Sequence, residues 1–284
     1  MTGAAGQIGR EVAELAIVQG HDVIAADSKR LDITDNNGLE LFCQRYEPDA
    51  IINAAAYTAV DRAEIEAEKA YAVNAQALIY LSAIAVKRGI PLIHLSTDYV
   101  FDGDKSEPYN ELDEACPVNT YGKSKRQGEL YLEQSGANYL VLRTSWVFGR
   151  YGNNFVKTIV GLAGERDELS VIDDQLGCPT SAADVAQAVL TALPVLISDK
   201  TVSGIYHFSG DSSASWFGFA RAIVDVAYSK KILARRPVLT PIDSSEYPVV
   251  ACRPKNSCLN GARFLKVFGL SGSDWRAQLE LVIV

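Results

Sequence analysis

Ile8, Val12, Leu15 and Ala16 recur at helical spacing with polar residues between them, which predicts an amphipathic helix over 8–19 that Gly20 stops. The run His21–Asp27 (HDVIAAD) then reads as a short buried strand. The same reading gives a helix over 36–46, a strand over 50–56 with a loop through Asp61, and a long helical stretch over 62–88, broken or kinked inside and ended by Gly89. A strand at 91–96 (PLIHLS), a helix over 121–134 and a strand at 138–143 (NYLVLR) follow. Strands alternating with helices of this length need right-handed crossovers, so the pattern predicts an α/β fold with a doubly wound parallel sheet. After residue 150 the alternation loosens into helices over 153–164, 181–193 and 215–228, a short strand at 204–208, and a Pro-containing, loop-rich tail over 237–260. The expected organisation is a main domain over 1–150, to which the segment around 181–208 returns, and a smaller C-terminal α+β lobe over 151–284.

Composition narrows the function classes. The 284 residues are 48% hydrophobic and 22% charged with a formal net charge of −8, the make-up of an ordinary globular protein. An acidic balance argues against a nucleic-acid or anionic-membrane partner. No apolar run reaches the roughly 18–20 residues of a membrane span, and the start lacks a signal-peptide pattern, so a cytoplasmic location is expected. Cys43, Cys116, Cys178, Cys252 and Cys258 are odd in number without a Cys-x-x-Cys pair, and His21, His94 and His207 are scattered. Neither a disulfide framework nor a metal site is expected from them.

Two constellations carry chemistry. Gly3, Gly6 and Gly9 are spaced to form a strand-to-helix turn in which backbone and helix dipole meet a pyrophosphate. Asp27 ends the next predicted strand, where a carboxylate accepts hydrogen bonds from an adenosine ribose. Lys29 and Arg30 beside it equally suit a 2′-phosphate, which leaves NADH and NADPH both open. The glycines begin at residue 3, where this kind of fold places a strand of about five or six residues before them. The expectation is therefore a sheet whose first strand is missing or truncated, with buried apolar residues lost and neighbouring strands left unpaired.

The second constellation is Tyr121-Gly-Lys-Ser-Lys125, whose i and i+4 side chains share a helix face. A cation at Lys125 lowers the cost of a phenolate at Tyr121, which can then exchange a proton with a carbonyl or alcohol oxygen. Thr97, at the C-terminal end of the 91–96 strand, offers a second hydroxyl at the edge where open parallel sheets bind ligands.

The glycine turn, the Thr97/Tyr121/Lys125 set and the βα order resemble the extended short-chain dehydrogenase/reductase superfamily, whose nucleotide domain is a Rossmann-type sheet. The segments 31–34 (LDIT), 53–61 (NAAAYTAVD), 96–103 (STDYVFDG), 143–146 (RTSW), 152–155 (GNNF), 173–180 (DDQLGCPT) and 253–257 (RPKNS) resemble the dTDP-4-dehydrorhamnose reductase family within it. The resemblance implies that Gly6, Gln7 and Ile8 line the pyrophosphate, Asp27 takes the ribose, and Asp32 and Ile33 hold the adenine. Ala56, Tyr57 and Thr58 would border the cofactor. Tyr121 would be the proton donor, Lys125 its partner and the ligand of the nicotinamide ribose, and Thr97 a second donor. Asp98, Tyr99, Trp146, Asn154 and Arg253 would contact a dTDP-sugar whose 4-keto group NADPH or NADH reduces. A monomer or homodimer is expected.

Rivals on the same fold are nucleotide-sugar epimerases and 4,6-dehydratases. Dehydratases carry a glutamate where this chain has Tyr99, which favours simple reduction. A non-catalytic rival is the regulatory β subunit of methionine adenosyltransferase, against which Arg143-Thr-Ser-Trp146 and the intact triad argue. Some relatives bind magnesium through a glutamate after Gly-x-Pro-Thr; here Thr180-Ser-Ala-Ala-Asp184 has none, so no structural metal is expected.

Overall fold

The computed structural model describes residues 1–284. In chain order its first half contains α1 (Gln7–Val18), α2 (Asn36–Tyr46), β1 (Ile51–Asn53), short helices α3 (Val60–Ala63) and α4 (Ala67–Tyr71), α5 (Ala77–Arg88), β2 (Leu92–Thr97), α6 (Thr120–Gln134) and β3 (Tyr139–Thr144). The second half holds β4 (Val147–Phe148), α7 (Phe155–Glu165), β5 (Glu168–Ile172), β6 (Leu176–Gly177), β7 (Thr180–Ser181), α8 (Ala182–Ser198), β8 (Gly204–His207), β9 (Ala214–Ser215), α9 (Trp216–Ser229), β10 (Val238–Ile242), α10 (Ala262–Phe268) and α11 (Trp275–Val282).

The main sheet is parallel in the order β1-β2-β3-β8. Strand β2 is buried at every residue, as a strand covered on both faces must be. Val12 and Ala16 of α1, the apolar stripe of α8, and Phe264 and Phe268 of α10 cover one face. Leu39 and Cys43 of α2, the Ala77–Ala85 face of α5 and Leu132 of α6 cover the other. A separate apolar cluster joins α7, β5, α9 and α11 into the second lobe around Phe219 and Trp275.

Between the segment ending at Ala26 and β1, the sheet is continued by Met1 and Thr2. Thr2 bridges Ala26 on one side and Asn53 on the other, both in parallel. Its N–H donates to Ile52 O (2.9 Å), its carbonyl accepts from Ala54 N (3.2 Å), and Met1 O accepts from Ala26 N (3.0 Å). The predicted strand at 21–27 is not formed: Ala26 makes one isolated bridge to Thr2, and Ile24 O accepts from the Met1 amino group (2.7 Å). Beside Met1 lies an apolar groove of about 460 Å³ lined by Val12, Ala16, Val23, Ile52, Leu190 and Leu193. The chain steps outward from Thr2 to Ala26 and back past Thr2 to β1, so strand order reverses at the glycine turn and opens a crevice there.

The stretch 62–88 is broken, as expected, into α3, α4, a π-helical turn over Ala72–Gln76, and α5, with Gly89 as its C-cap. Two further expectations need correction. The tail over 237–260 contains strand β10, paired in parallel with β5, despite Pro241 within it; both β5 and β10 were hidden because only one face of each meets the lobe core. Helix α8 runs on to Ser198, past residue 193 and through Pro194.

Candidate active site

A cavity of about 530 Å³ lies over the C-terminal ends of β1, β2 and β3. Gly6, Gln7, Ile8 and Gly9 form one wall, Ala56 and Thr58 the next, and Thr97 and Asp98 the floor. Tyr121 and Lys125 enter from α6, and Trp146 closes the far side. Gly3 has φ +69°, and a Cβ there would lie 2.4 Å from the Ala54 backbone, so only glycine lets the turn pass so close to the end of β1. Gly6 caps α1 without a side-chain acceptor, which leaves the first-turn N–H groups of the helix to face the cavity.

Helix α6 is set by Asn119, whose side chain accepts from Gly122 N (2.8 Å) as N-cap. A Cβ on Gly122 would come within 2.0 Å of Tyr99 O; the glycine allows α6 to close on the segment after β2 and brings Tyr121 beside Thr97. The Tyr121 ring meets Tyr99 edge-on at 5.9 Å. Lys125 Nζ donates to Leu95 O (2.6 Å) and lies 3.0 Å from His94 Nε2. Thr97 Oγ1 donates to Asp98 Oδ1 (3.0 Å) and accepts from Tyr99 N (3.2 Å). From the π turn, Asn74 accepts from Tyr57 N (2.8 Å) and donates to Ser124 Oγ (3.0 Å), tying the loop after β1 to α6.

Several residues singled out in the sequence lie elsewhere. Asp27 sits in a neighbouring open cleft with Arg10 and Arg30, contiguous with the glycine turn at Ala4 and Ala5. Its Oδ1 accepts from Lys29 N and Arg30 N. Asp32 Oδ1 caps its own turn through Thr34 (2.9 and 2.8 Å), and Ile33 is buried in the core behind it, so neither side chain reaches the cavity. Tyr57 donates its hydroxyl to Glu66 instead. Asn154 caps α7 and donates to Gln7 Oε1 (2.9 Å), so it orients a cavity residue while its neighbour Asn153 faces the space. Arg253 is held by Asp61 (3.1 and 2.6 Å), 192 positions away in the chain. Tyr99 is half-buried, packed edge-on against Tyr121, and does not line the cavity. Sequence reasoning missed Arg10, Thr144 and Trp216, the last stacked on Trp146 at 3.5 Å and 5°. Trp146 holds φ +46°, a strained backbone that turns its indole toward the cavity.

Burial dominates the electrostatics. It pushes the Tyr121 phenol up to about 12, against a lowering by the Thr97 hydroxyl, and the Asp98 carboxyl up to about 7. It pulls Lys125 down to about 7, against the opposing pull of Glu129. His207 is drawn down to about 3 by burial and then by Arg143, and buried His94 also lies well below its usual range. A histidine kept neutral in the fold but charging near pH 6.5 when unfolded adds stability above that pH and loses it as pH falls. Asp98, raised in the fold, gains stability as pH falls and offsets one of the two histidines. Urea unfolding should therefore show stability declining between pH 6.5 and 5 by about 1.4 kcal/mol per pH unit. A flat profile over that window would contradict the assignment.

The fold and this site define an oxidoreductase of the dinucleotide-binding α/β class. The family described as RmlD substrate binding domain matches residues 1–284. The chain is 44% identical to the dTDP-4-dehydrorhamnose reductase of Aggregatibacter actinomycetemcomitans, over 99% of this chain and 96% of that protein. It superposes on the crystal structure of the dTDP-4-dehydrorhamnose reductase from Bacillus anthracis in complex with NADP with a TM-score of 0.90, at 38% identity, covering 99% of this chain and 96% of that one. The corresponding reductase structure from Clostridium acetobutylicum gives 0.91 at 37% identity, with the same coverage. The chain belongs to the dTDP-4-dehydrorhamnose reductase family.

Proposed function

We propose that this chain reduces the 4-keto group of dTDP-4-dehydro-L-rhamnose to give dTDP-L-rhamnose, with NADPH or NADH as reductant. The observation that carries this reading is the convergence of Thr97, Tyr121 and Lys125 on a cavity whose opposite wall is an uncapped glycine turn. A dinucleotide fits the residues present: first-turn N–H groups of α1 suit its pyrophosphate, and the Asp27/Arg10/Arg30 cleft suits its adenosine end. Arg10 and Arg30 give that cleft two cations for a 2′-phosphate, while Asp27 is the acceptor a free ribose hydroxyl would need.

When bound, the reduced nicotinamide supplies a hydride to the keto carbon. The chain's own residues do the rest. Negative charge develops on the keto oxygen, and Tyr121 Oη donates a hydrogen bond to it and then the proton itself. Thr97, whose hydroxyl proton points to Asp98 in the free protein, would turn to the same oxygen. A charged Lys125 favours the phenolate left on Tyr121 and presents its remaining N–H to the nicotinamide ribose. Asp98 and the Trp146–Trp216 stack border the sugar end, and Arg253 and Tyr99 support it from behind.

The test follows NADH and NADPH oxidation with dTDP-4-dehydro-L-rhamnose and identifies the product. Turnover with at least one cofactor and formation of dTDP-L-rhamnose are expected; oxidation with neither would overturn the reading.

A further inference from the structure

Behind Lys125 runs a buried chain of polar groups whose hydrogen-bond polarity is fixed at one end. Asn53 Oδ1 accepts from Ala55 N (3.2 Å), a backbone donor that cannot be reversed, and from Thr2 Oγ1 (2.6 Å). The Asn53 NH2 group is therefore turned to His94 Nδ1, 3.0 Å away. An amide NH2 only donates, so Nδ1 accepts and the ring proton resides on Nε2. Nε2 faces Lys125 Nζ at 3.0 Å, and two donors cannot share that contact. Asn53 and His94 are 0% exposed and Lys125 1%, so no solvent relieves a mismatch.

We propose that His94 is a positioning residue for the reduction, resting on the function proposed above: its Nε2–H holds Lys125 as a neutral amine in the free protein. The amine then accepts from His94, donates one N–H to Leu95 O, and keeps one N–H for the cavity. Charging it requires a proton from solvent on the same lone pair, which breaks the His94 bond and leaves two donors facing each other. His94 thus sets how readily Lys125 becomes the cation that supports the Tyr121 phenolate. The other groups around Lys125 are Glu129 and Tyr121 on α6 and Asp98 after β2. Glu129 favours the charge but is engaged by Arg143 and Arg126, and β1 contributes only neutral Asn53. The depressed basicity of Lys125 and the neutral state of His94 agree with this polarity.

Two measurements on the intact chain test it. A long-range ¹H–¹⁵N spectrum, with the His94 ring assigned by its loss in His94→Gln, should show the Nε2–H tautomer from pH 6 to 9. The Nδ1–H tautomer or an imidazolium would overturn the proposal, and this readout stands whether or not the chain turns over dTDP-4-dehydro-L-rhamnose. In the pH profile of kcat/KM, His94→Leu removes a donor that favours the neutral amine, so the alkaline limb should move up by about one unit. Glutamine, which can present an N–H to Lys125, should restore it. A downward shift would mean that the lysine donates to the ring, and overturns the proposal, as does no shift. If His94→Leu fails to fold, the tautomer decides alone.

Discussion

Replacing Tyr121 with phenylalanine should lower kcat for dTDP-4-dehydro-L-rhamnose by about 10²- to 10⁴-fold, the contribution typical of a positioned general acid. The ring survives the substitution, and with it the edge-on contact to Tyr99 at 5.9 Å, so thermal midpoint and NADPH affinity should stay close to those of the native chain. That combination separates loss of a proton donor from loss of structure. Burial supports the assignment: with its phenol pushed up to about 12, Tyr121 keeps its proton at neutral pH until charge appears on a nearby oxygen. A solution-exposed tyrosine would have no such need of Lys125 and Thr97. The measurement is steady-state turnover beside a cofactor titration followed by fluorescence. Undiminished kcat in Tyr121→Phe would remove the tyrosine from the mechanism.

The parts of this site legible in the sequence are those that local geometry dictates. Tyr121 and Lys125 must share a face of α6 because they are four apart, and the glycine turn must open α1 because no side chain blocks it. Helix and strand periods likewise placed α2, α6, β2 and β3 within two residues or so of where they lie. What escaped depends on contacts distant in sequence or on a competing local role. Nothing near Arg253 announces Asp61, and nothing near Trp146 announces Trp216. Asn154 was legible in another sense: an asparagine directly before the apolar run 155–163 is an N-cap signal, and that role takes its side chain away from the cavity and leaves Asn153 facing it. Ile33 shows the same competition, with an apolar side chain claimed by the core. Strand β10 hid because Pro241 and the exposed Val238 and Thr240 break the strand signal, although an edge pairing tolerates both.

The largest stability effect should come from Arg143→Met. Arg143 is 2% exposed in the middle of the sheet and grips Glu129 with two hydrogen bonds of 2.9 and 2.7 Å. Ser96 Oγ donates to the same carboxylate at 2.6 Å, and Arg126 reaches it at 3.1 Å. Despite complete burial, which raises a carboxyl, these partners hold Glu129 below its ordinary value, with the Arg143 charge the largest of them. Removing the arginine leaves that charge with only Arg126 at the rim, and breaking a buried pair from one side costs about 3–5 kcal/mol. Against total stabilities of about 5–15 kcal/mol this is a large fraction, and at roughly 2–4 °C per kcal/mol it should appear as a midpoint drop of about 6–20 °C. The double variant Arg143→Met/Glu129→Leu removes both charges and should recover much of the loss, since an apolar pair replaces a buried ion pair at little cost. Recovery would show that the orphaned carboxylate, not the lost packing over Phe101, causes the damage. Glu129 lies one turn beyond Lys125 on α6, so the pair also clamps to β3 the helix that carries Tyr121. In the double variant Lys125 loses the neighbour that favours its charge, and the alkaline limb of kcat/KM should move to lower pH even where the fold is restored. Calorimetry of the three proteins, with a pH profile of the double variant, separates these two duties of one carboxylate. Equal midpoints for the single and double variants would mean that Arg143 acts through packing alone.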